Sequence, residues 1–410
     1  MTDFKAFLRN AREAYVACNR DTLVWVLDRG TLAGGFLNTK VNSISLKDYG
    51  REDGWRGPDY TYGWIQGRGL EALVTHAAFF EKEDPALSAR LDEAARKLYA
   101  ALAPLYDRYN GAFFCYDASM TPVWRDADGR AVPQNTGTPY FTYSDAFVLK
   151  GLVAATTRYD PARRGPYLSK LASLVAGIEK GLFIGDEQLP LTTESAAAQE
   201  PEFGPRMILM GAAGMLTQLG LHQEAAFGER YIAHVLERHW DCEGENPSFL
   251  IRDIVGGDRC NVGHAIELAG FSYEHLPAAA GDETVDAIRL AMVSSFNAAF
   301  TEPGLCLHVS AATGRCISPY FPWWSLPEAV RAASLCYLRR PDEEVLAVWQ
   351  KAHEAFFANY WRAGHGLAYQ TRDRVGPVDF VPATPDLDPG YHTGLSLLAA
   401  IHACDCLLEA

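Results

Sequence analysis

Five points of the sequence gather ionisable and aromatic residues, and each lies at the start of an expected helix. Tyr62-Gly63-Trp64-Ile65-Gln66-Gly67-Arg68-Gly69 opens one, and Gly204-Pro205-Arg206-Met207 opens a second. Asn261-Val262-Gly263-His264-Ala265-Ile266-Glu267 opens a third. Phe321-Pro322-Trp323-Trp324 precedes a fourth, which carries Glu328, and Asp388-Pro389-Gly390-Tyr391-His392 opens a fifth. Histidine both takes and gives protons near neutral pH. Two such groups on opposite faces of a sugar suit removal and return of a proton at a carbon alpha to a carbonyl. Arg68 would then stabilise the enediolate oxygen, a preorganised charge contributing ~3 kcal/mol per donor. Trp323, Trp324 and Tyr62 offer platforms for sugar rings, and Arg206, Glu328 and Asp388 offer polar contacts.

Each residue also has a plainer reading. His264 and Glu267 are three apart, share a helix face and can bond each other. Arg68 can serve as a structural ion-pair partner, Arg206 can neutralise a nearby carboxylate, and His392 can be a satisfied core histidine. One of the two tryptophans can be core filler. Taken singly these signals are weak, and their shared position at helix starts strengthens them. Gly67-Arg68-Gly69 lacks the spacing of a phosphate-binding loop. His264-x-x-Glu267 is not a His-Glu-x-x-His motif, and no third ligand sits at metal spacing, so no metal is expected. There is no dinucleotide fingerprint and no nucleophile elbow, so no cofactor is expected either.

Composition narrows the classes. The chain has 410 residues, 48% of them hydrophobic and 21% charged, enough for a large core. Its formal net charge of −14 argues against nucleic acid or an anionic membrane as partner, since both require a basic surface. No apolar run reaches the ~18 residues of a membrane span. The N-terminus lacks the charged-then-apolar pattern of a signal peptide. None of the nine cysteines forms a Cys-x-x-Cys pair, so most are expected to be reduced, buried thiols of a cytoplasmic protein. The expected partners are a small-molecule sugar and, at most, a second copy of the chain in a homodimer.

Elements must hold those residues in place. A 3.6-residue apolar period predicts twelve helices, near 3–18, 62–83, 87–108, 143–159, 166–182, 205–219, 222–240, 262–275, 283–300, 324–338, 342–360 and 391–408. Short and long links alternate between them. The short ones fall at 84–86, 160–165, 220–221, 276–282 and 339–341. The long ones fall at 19–61, 109–142, 183–204, 241–261, 301–323 and 361–390. A short link forces antiparallel neighbours, so the chain reads as six helical hairpins. The long links at 111–130, 304–315 and 366–376 each read as strand, Gly-containing turn, strand. Repetition every 60–70 residues or so indicates one closed architecture rather than separate domains. The expectation is therefore all-α, an (α/α)6 barrel over residues 1–410 as a single catalytic domain. Short β-hairpins would decorate the long loops at one end. The starts of the even-numbered helices would share one cavity there.

At this point the residues resemble a known family. Gly263-His264-Ala265-Ile266-Glu267, Trp323-Trp324 with Glu328-Ala329, Gly67-Arg68-Gly69 and Tyr391-His392 are similar, in matching order, to the N-acylglucosamine 2-epimerase family. The resemblance implies an (α/α)6 barrel that epimerises or isomerises a free reducing sugar at C2 without a metal or redox cofactor. It implies that His264 and His392 are the acid/base pair. Arg68 would hold the sugar and its developing oxyanion, and Glu267 would orient His264 or bind a hydroxyl. The sequence departs from the family pattern at three places: Ile208 follows Met207 where relatives carry histidine, Leu395 stands where they carry arginine, and Gly270-Phe271 replaces a tryptophan. Arg206 adds a cation, which fits an anionic sugar. Two other readings stay open here. One is a glycoside hydrolase or lyase drawing its carboxylates from Asp145, Glu267, Glu328 and Asp388. The other is a non-catalytic sugar-binding relative.

Overall fold

Helix formation follows the apolar period over most of the chain. The computed structural model describes residues 2–244, 247–277, 280–380 and 383–409. Among these, the helices in chain order are α1 (Thr2–Asp28), α2 (Gly63–Glu83), α3 (Pro85–Tyr109), α4 (Tyr143–Tyr159), α5 (Pro161–Glu179), α6 (Thr193–Ala198), α7 (Gly204–Gln218), α8 (His222–Ala225), α9 (Phe227–Arg238), α10 (Val262–His275), α11 (Asp282–Ala299), α12 (Ser325–Arg339), α13 (Glu343–Asn359) and α14 (Ser396–Glu409).

The differences from the expected helices have local causes. α1 continues ten residues beyond the expected end because Leu23 and Val26 extend its buried face. α5 starts at Pro161 rather than 166, since proline at the first helical position gives up an N–H that would have no partner anyway. The helix expected over 222–240 divides into α8 and α9, where the Ala226 N–H turns to the Gln223 carbonyl three residues back. α6 is a single turn and a half inside a long link. At 391 a π-helical turn, Tyr391–Leu395, precedes α14.

The described residues group into two compact units. One comprises residues 22–200 and 383–391. In it α2 packs on α3 and α4, and α4 on α5. The α2–α4 crossing is close because two glycines meet there. A Cβ on Gly67 would lie 2.5 Å from the Phe147 carbonyl carbon, and one on Gly151 would lie 2.6 Å from the Gly67 oxygen. The Gly67-Arg68-Gly69 sequence is thus a helix-crossing device that also fixes the height of Arg68. Before α2 lies an antiparallel sheet of β1 (Thr61–Tyr62), β2 (Cys115–Tyr116), β3 (Pro122–Arg125) and β4 (Ala131–Pro133), in that order. The expected hairpin at 111–130 is its centre.

The other unit comprises residues 2–21, 201–380 and 392–409. Here α7, α10, α12 and α14 form a row, each packed on the next, with α9, α11 and α13 packed on α7, α10 and α12. Its short strands are β5 (Arg259–Asn261), β6 (Phe300–Thr301), β7 (Gly304–Leu305), β8 (His308–Ser310), β9 (Phe321–Pro322), β10 (Trp361–Arg362), β11 (Leu367–Ala368) and β12 (Thr371–Arg372). β6–β7 and β10–β11 are hairpins. The later strands of the links at 304–315 and 366–376 pair differently from the expectation: β8 joins β5 and β12 joins β9. Links distant in sequence are therefore stitched together, and the stitches run directly into α10 and α12. All nine cysteines are free thiols. Among the described residues no helix is long and apolar enough to cross a membrane.

Candidate active site

The start of α10 places His264. The Asn261 side chain caps the helix by accepting the His264 N–H at 3.2 Å, which fixes the first turn. Gly263 is required beside it, because a Cβ there would lie 2.3 Å from the Trp324 ring. Trp324 sits at the start of α12, with its ring centroid 5.6 Å from that of His264 and 5.4 Å from that of His392. Both imidazoles are inclined to the indole by about the same angle, 35° and 36°. Trp323 meets His392 edge-on at 6.2 Å and donates its indole N–H to Thr393 Oγ1 at 3.2 Å. Phe203 meets His264 edge-on at 6.3 Å. One indole therefore touches both histidines, which lie 128 residues apart in the chain.

A row of buried ionisable side chains stands behind His392. Its Nδ1 is 3.0 Å from Glu328 Oε1 and 3.8 Å from Glu267 Oε1. Glu328 Oε2 is 3.1 Å from Arg331 Nη1, and Arg331 Nε is 3.6 Å from Glu274 Oε1. Glu328 and Arg331 are three apart on α12 and both are essentially inaccessible to water. A carboxylate on Nδ1 orients the ring and stabilises the imidazolium, the role it plays wherever a histidine exchanges protons. Glu267, expected to orient His264, lies within reach of His392. Glu267, Glu328 and His392 offer ligand atoms within 4.8 Å of one another, a set a divalent cation could use. Local spacing could not reveal this trio, because its members come from three different helix starts. The Arg331 guanidinium already balances charge there.

In the other unit, the Arg68 guanidinium carbon lies 4.0 Å from the Phe147 ring centroid, 5.0 Å from Trp64 and 5.4 Å from Tyr391. Such aromatic faces attract a cation electrostatically. Trp64 is itself held, donating its indole N–H to Glu187. Glu187 also accepts from the Ser144 N–H at 2.7 Å and the Ser144 hydroxyl at 3.0 Å. Burial pushes the Glu187 carboxyl up to about 7. Sequence reasoning missed this residue, since nothing in the 183–204 link marks it. A carboxyl whose folded-state value is raised favours the fold at low pH and loses that contribution as pH rises through about 7. Glu187→Gln removes the titration. The thermal stability of wild type relative to Glu187→Gln is therefore expected to be greater at pH 5 than at pH 8, by about 2–3 kcal/mol. A constant difference across that range, measured by scanning calorimetry, would refute the assignment.

The structure gives the remaining expected residues bonds that hold the fold. The Tyr62 hydroxyl donates to the Trp55 carbonyl at 2.9 Å, and its ring packs with Ile65, Cys115 and Val123. Asp388 Oδ1 accepts the Tyr391 N–H at 2.9 Å. Asp145 accepts from the Ala112 and Thr142 N–H groups and caps α4, and burial pushes it up to about 7. Arg206 lies 5.6 Å over the ring of Tyr231 on α9.

No family model matches the sequence, and no curated protein matches it. Solved structures do match. The cellobiose 2-epimerase from Bacillus thermoamylovorans superimposes with a TM-score of 0.72 at 15% identity, covering 98% of this chain and 100% of that one. The cellobiose 2-epimerase from Spirochaeta thermophila gives 0.72 at 17% identity, covering 100% of each chain. A D-mannose isomerase gives 0.68 at 13%, covering 95% of this chain and 97% of that one. The fold is accordingly all-α, of the (α/α)6-barrel class, with short hairpins in its long links.

Proposed function

We propose that the chain is an epimerase or aldose–ketose isomerase of a free reducing sugar, working by proton transfer at C2 through an enediol or enediolate. One observation carries the reading. Two imidazoles lie against a single indole, and one of them is backed by a buried carboxylate–guanidinium pair. Trp324 offers its ring to a sugar at the level of both histidines. With Nδ1 of His392 committed to Glu328, exchange with substrate falls to Nε2. One imidazole takes the proton from C2 of the open-chain sugar. The other, in its protonated form, delivers its own proton at C2 from the opposite face, giving the epimer, or a proton is delivered to C1, giving the ketose. The named activities of the matching solved structures, sugar 2-epimerases and a mannose isomerase, agree with this reading. By the family resemblance alone, Arg68 is assigned the developing oxyanion, and the 410 residues work as one catalytic domain.

The hydrolase reading needs a carboxylate on each side of a glycosidic bond. Asp145 and Asp388 are engaged with backbone N–H groups, and Glu328 is engaged with His392 and Arg331. Incubation of a panel of aldoses and ketoses in heavy water tests the choice. Deuterium is expected at C2 of one aldose and in its product, at C2 of an epimer or at C1 of a ketose, at a rate unchanged by excess chelator. Hydrolysis of a glycoside without exchange into any free sugar would overturn the proposal, and loss of exchange on chelation would transfer the Glu267–Glu328–His392 trio to a metal.

A further inference from the structure

Two ionisable residues stand in buried stretches of their helices and have no part in the proton transfer above. Lys150 lies in α4 between Ala146-Phe147-Val148-Leu149 and Gly151-Leu152-Val153, and is 1% exposed. Glu71 lies in α2 between Leu70 and Ala72. Lys150 Nζ is 3.2 Å from Glu71 Oε2 and donates to the Tyr391 hydroxyl oxygen at 2.6 Å. Taking two charges out of water is expensive, and an apolar pair of the same volume would generally serve the core as well. Stability alone therefore leaves the pair unexplained. Its third member explains it.

Tyr391 is the first residue of the π turn, and His392 is the second. A π turn widens the helix by one residue and is frequent at functional sites, but its hydrogen bonding is poorer than that of an α-helix. Something outside the turn must hold it. The Tyr391 ring is fixed on several sides: Phe147 meets it edge-on at 5.7 Å, the Arg68 guanidinium faces it, and Lys150 Nζ lies 4.8 Å from its centroid. Its N–H is taken by Asp388. The hydroxyl is the atom farthest from the backbone, so anchoring it gives the longest lever on the turn.

We propose that Lys150, paired with Glu71, is a positioning residue: by clamping the Tyr391 hydroxyl it sets the π turn that presents His392, and it steadies the ring on which Arg68 rests. The inference rests on the function proposed above for its catalytic consequence, but not for its structural one.

The test uses the intact chain labelled with 15N-histidine, with the His392 signals assigned by their absence from His392→Asn. Tyr391→Phe keeps the ring for Arg68 and deletes only the clamped oxygen. Lys150→Met deletes the clamp, and Lys150→Arg restores a charged donor. In Tyr391→Phe and Lys150→Met the pH titration of His392 is expected to move while that of His264 does not. kcat should fall about ten-fold or more with KM unchanged, as expected for a misplaced reacting group. Lys150→Arg should recover part of that loss. A purely structural clamp would lower the melting temperature but leave the His392 titration where it was. An unmoved His392 titration in Tyr391→Phe overturns the inference whatever the melting temperature. If no sugar exchanges its proton even with wild type, the function proposed above fails, and the titration of His392 still decides the clamp.

Discussion

His392→Asn is expected to lower turnover by ~10²–10⁴, with the fold intact, and His264→Asn to do the same. Asparagine keeps a polar group of nearly the right size beside Glu328, so the buried carboxylate still meets a donor. It cannot titrate, so the exchange step is lost. The Trp324 ring, its centroid 5.6 and 5.4 Å from the two imidazoles, keeps a planar side chain to pack against. Two residues that act on opposite faces of one carbon form a unit, so the double variant is expected to be little worse than the worse single one. Steady-state rates with the exchanging sugar, alongside circular dichroism, read both effects. If either single variant retains near wild-type turnover, that histidine is not part of the acid/base pair. A double variant whose loss equals the product of the single losses would mean that the two act in independent steps.

Much of this site was legible in the sequence, and the reasons are physical. The helix starts were visible because Gly, Pro, Asn and Asp interrupt a strong apolar period. The chemistry-bearing residues sit at those starts, where side chains escape the core. His264, Glu267, Trp324, Glu328 and His392 are brought together as that placement led us to expect. Glu187 stayed hidden because a lone carboxylate in a loop looks like any solvated one. Only its burial beneath Trp64 and Ser144 distinguishes it. Arg331 stayed hidden for the opposite reason. Mid-helix arginines usually face water, and this one is 1% exposed. Tyr62 and Asp388 were expected at the sugar because of where their helices begin. Their side chains bond the Trp55 carbonyl and the Tyr391 N–H, since a helix start has backbone groups of its own to satisfy. The strand partners within the long links were the least legible, because two-residue strands carry almost no pattern.

Arg331 also gives the largest expected effect on stability. Its guanidinium lies 3.1 Å from Glu328 and 3.6 Å from Glu274, and 4.7 Å over the ring of Phe271. Arg331→Met fills most of the volume but leaves Glu328 buried without its cation. Removing one partner of a buried pair costs ~3–5 kcal/mol, most of it the penalty on the charge left behind. The urea midpoint should fall accordingly, and the His392 side chain should lose its fixed acceptor as Glu328 seeks a proton. Adding Glu328→Gln to Arg331→Met removes the stranded charge, so much of the stability should return. Activity should not return with it, because a neutral amide cannot stabilise the imidazolium that forms when His392 takes a proton. This divergence separates the two jobs of the buried pair, holding α12 and tuning His392. Arg331→Met within ~1 kcal/mol of wild type would show that the guanidinium balances no buried charge. Recovery of turnover in the double variant would show that His392 needs a hydrogen-bond acceptor on Nδ1 and not a charge.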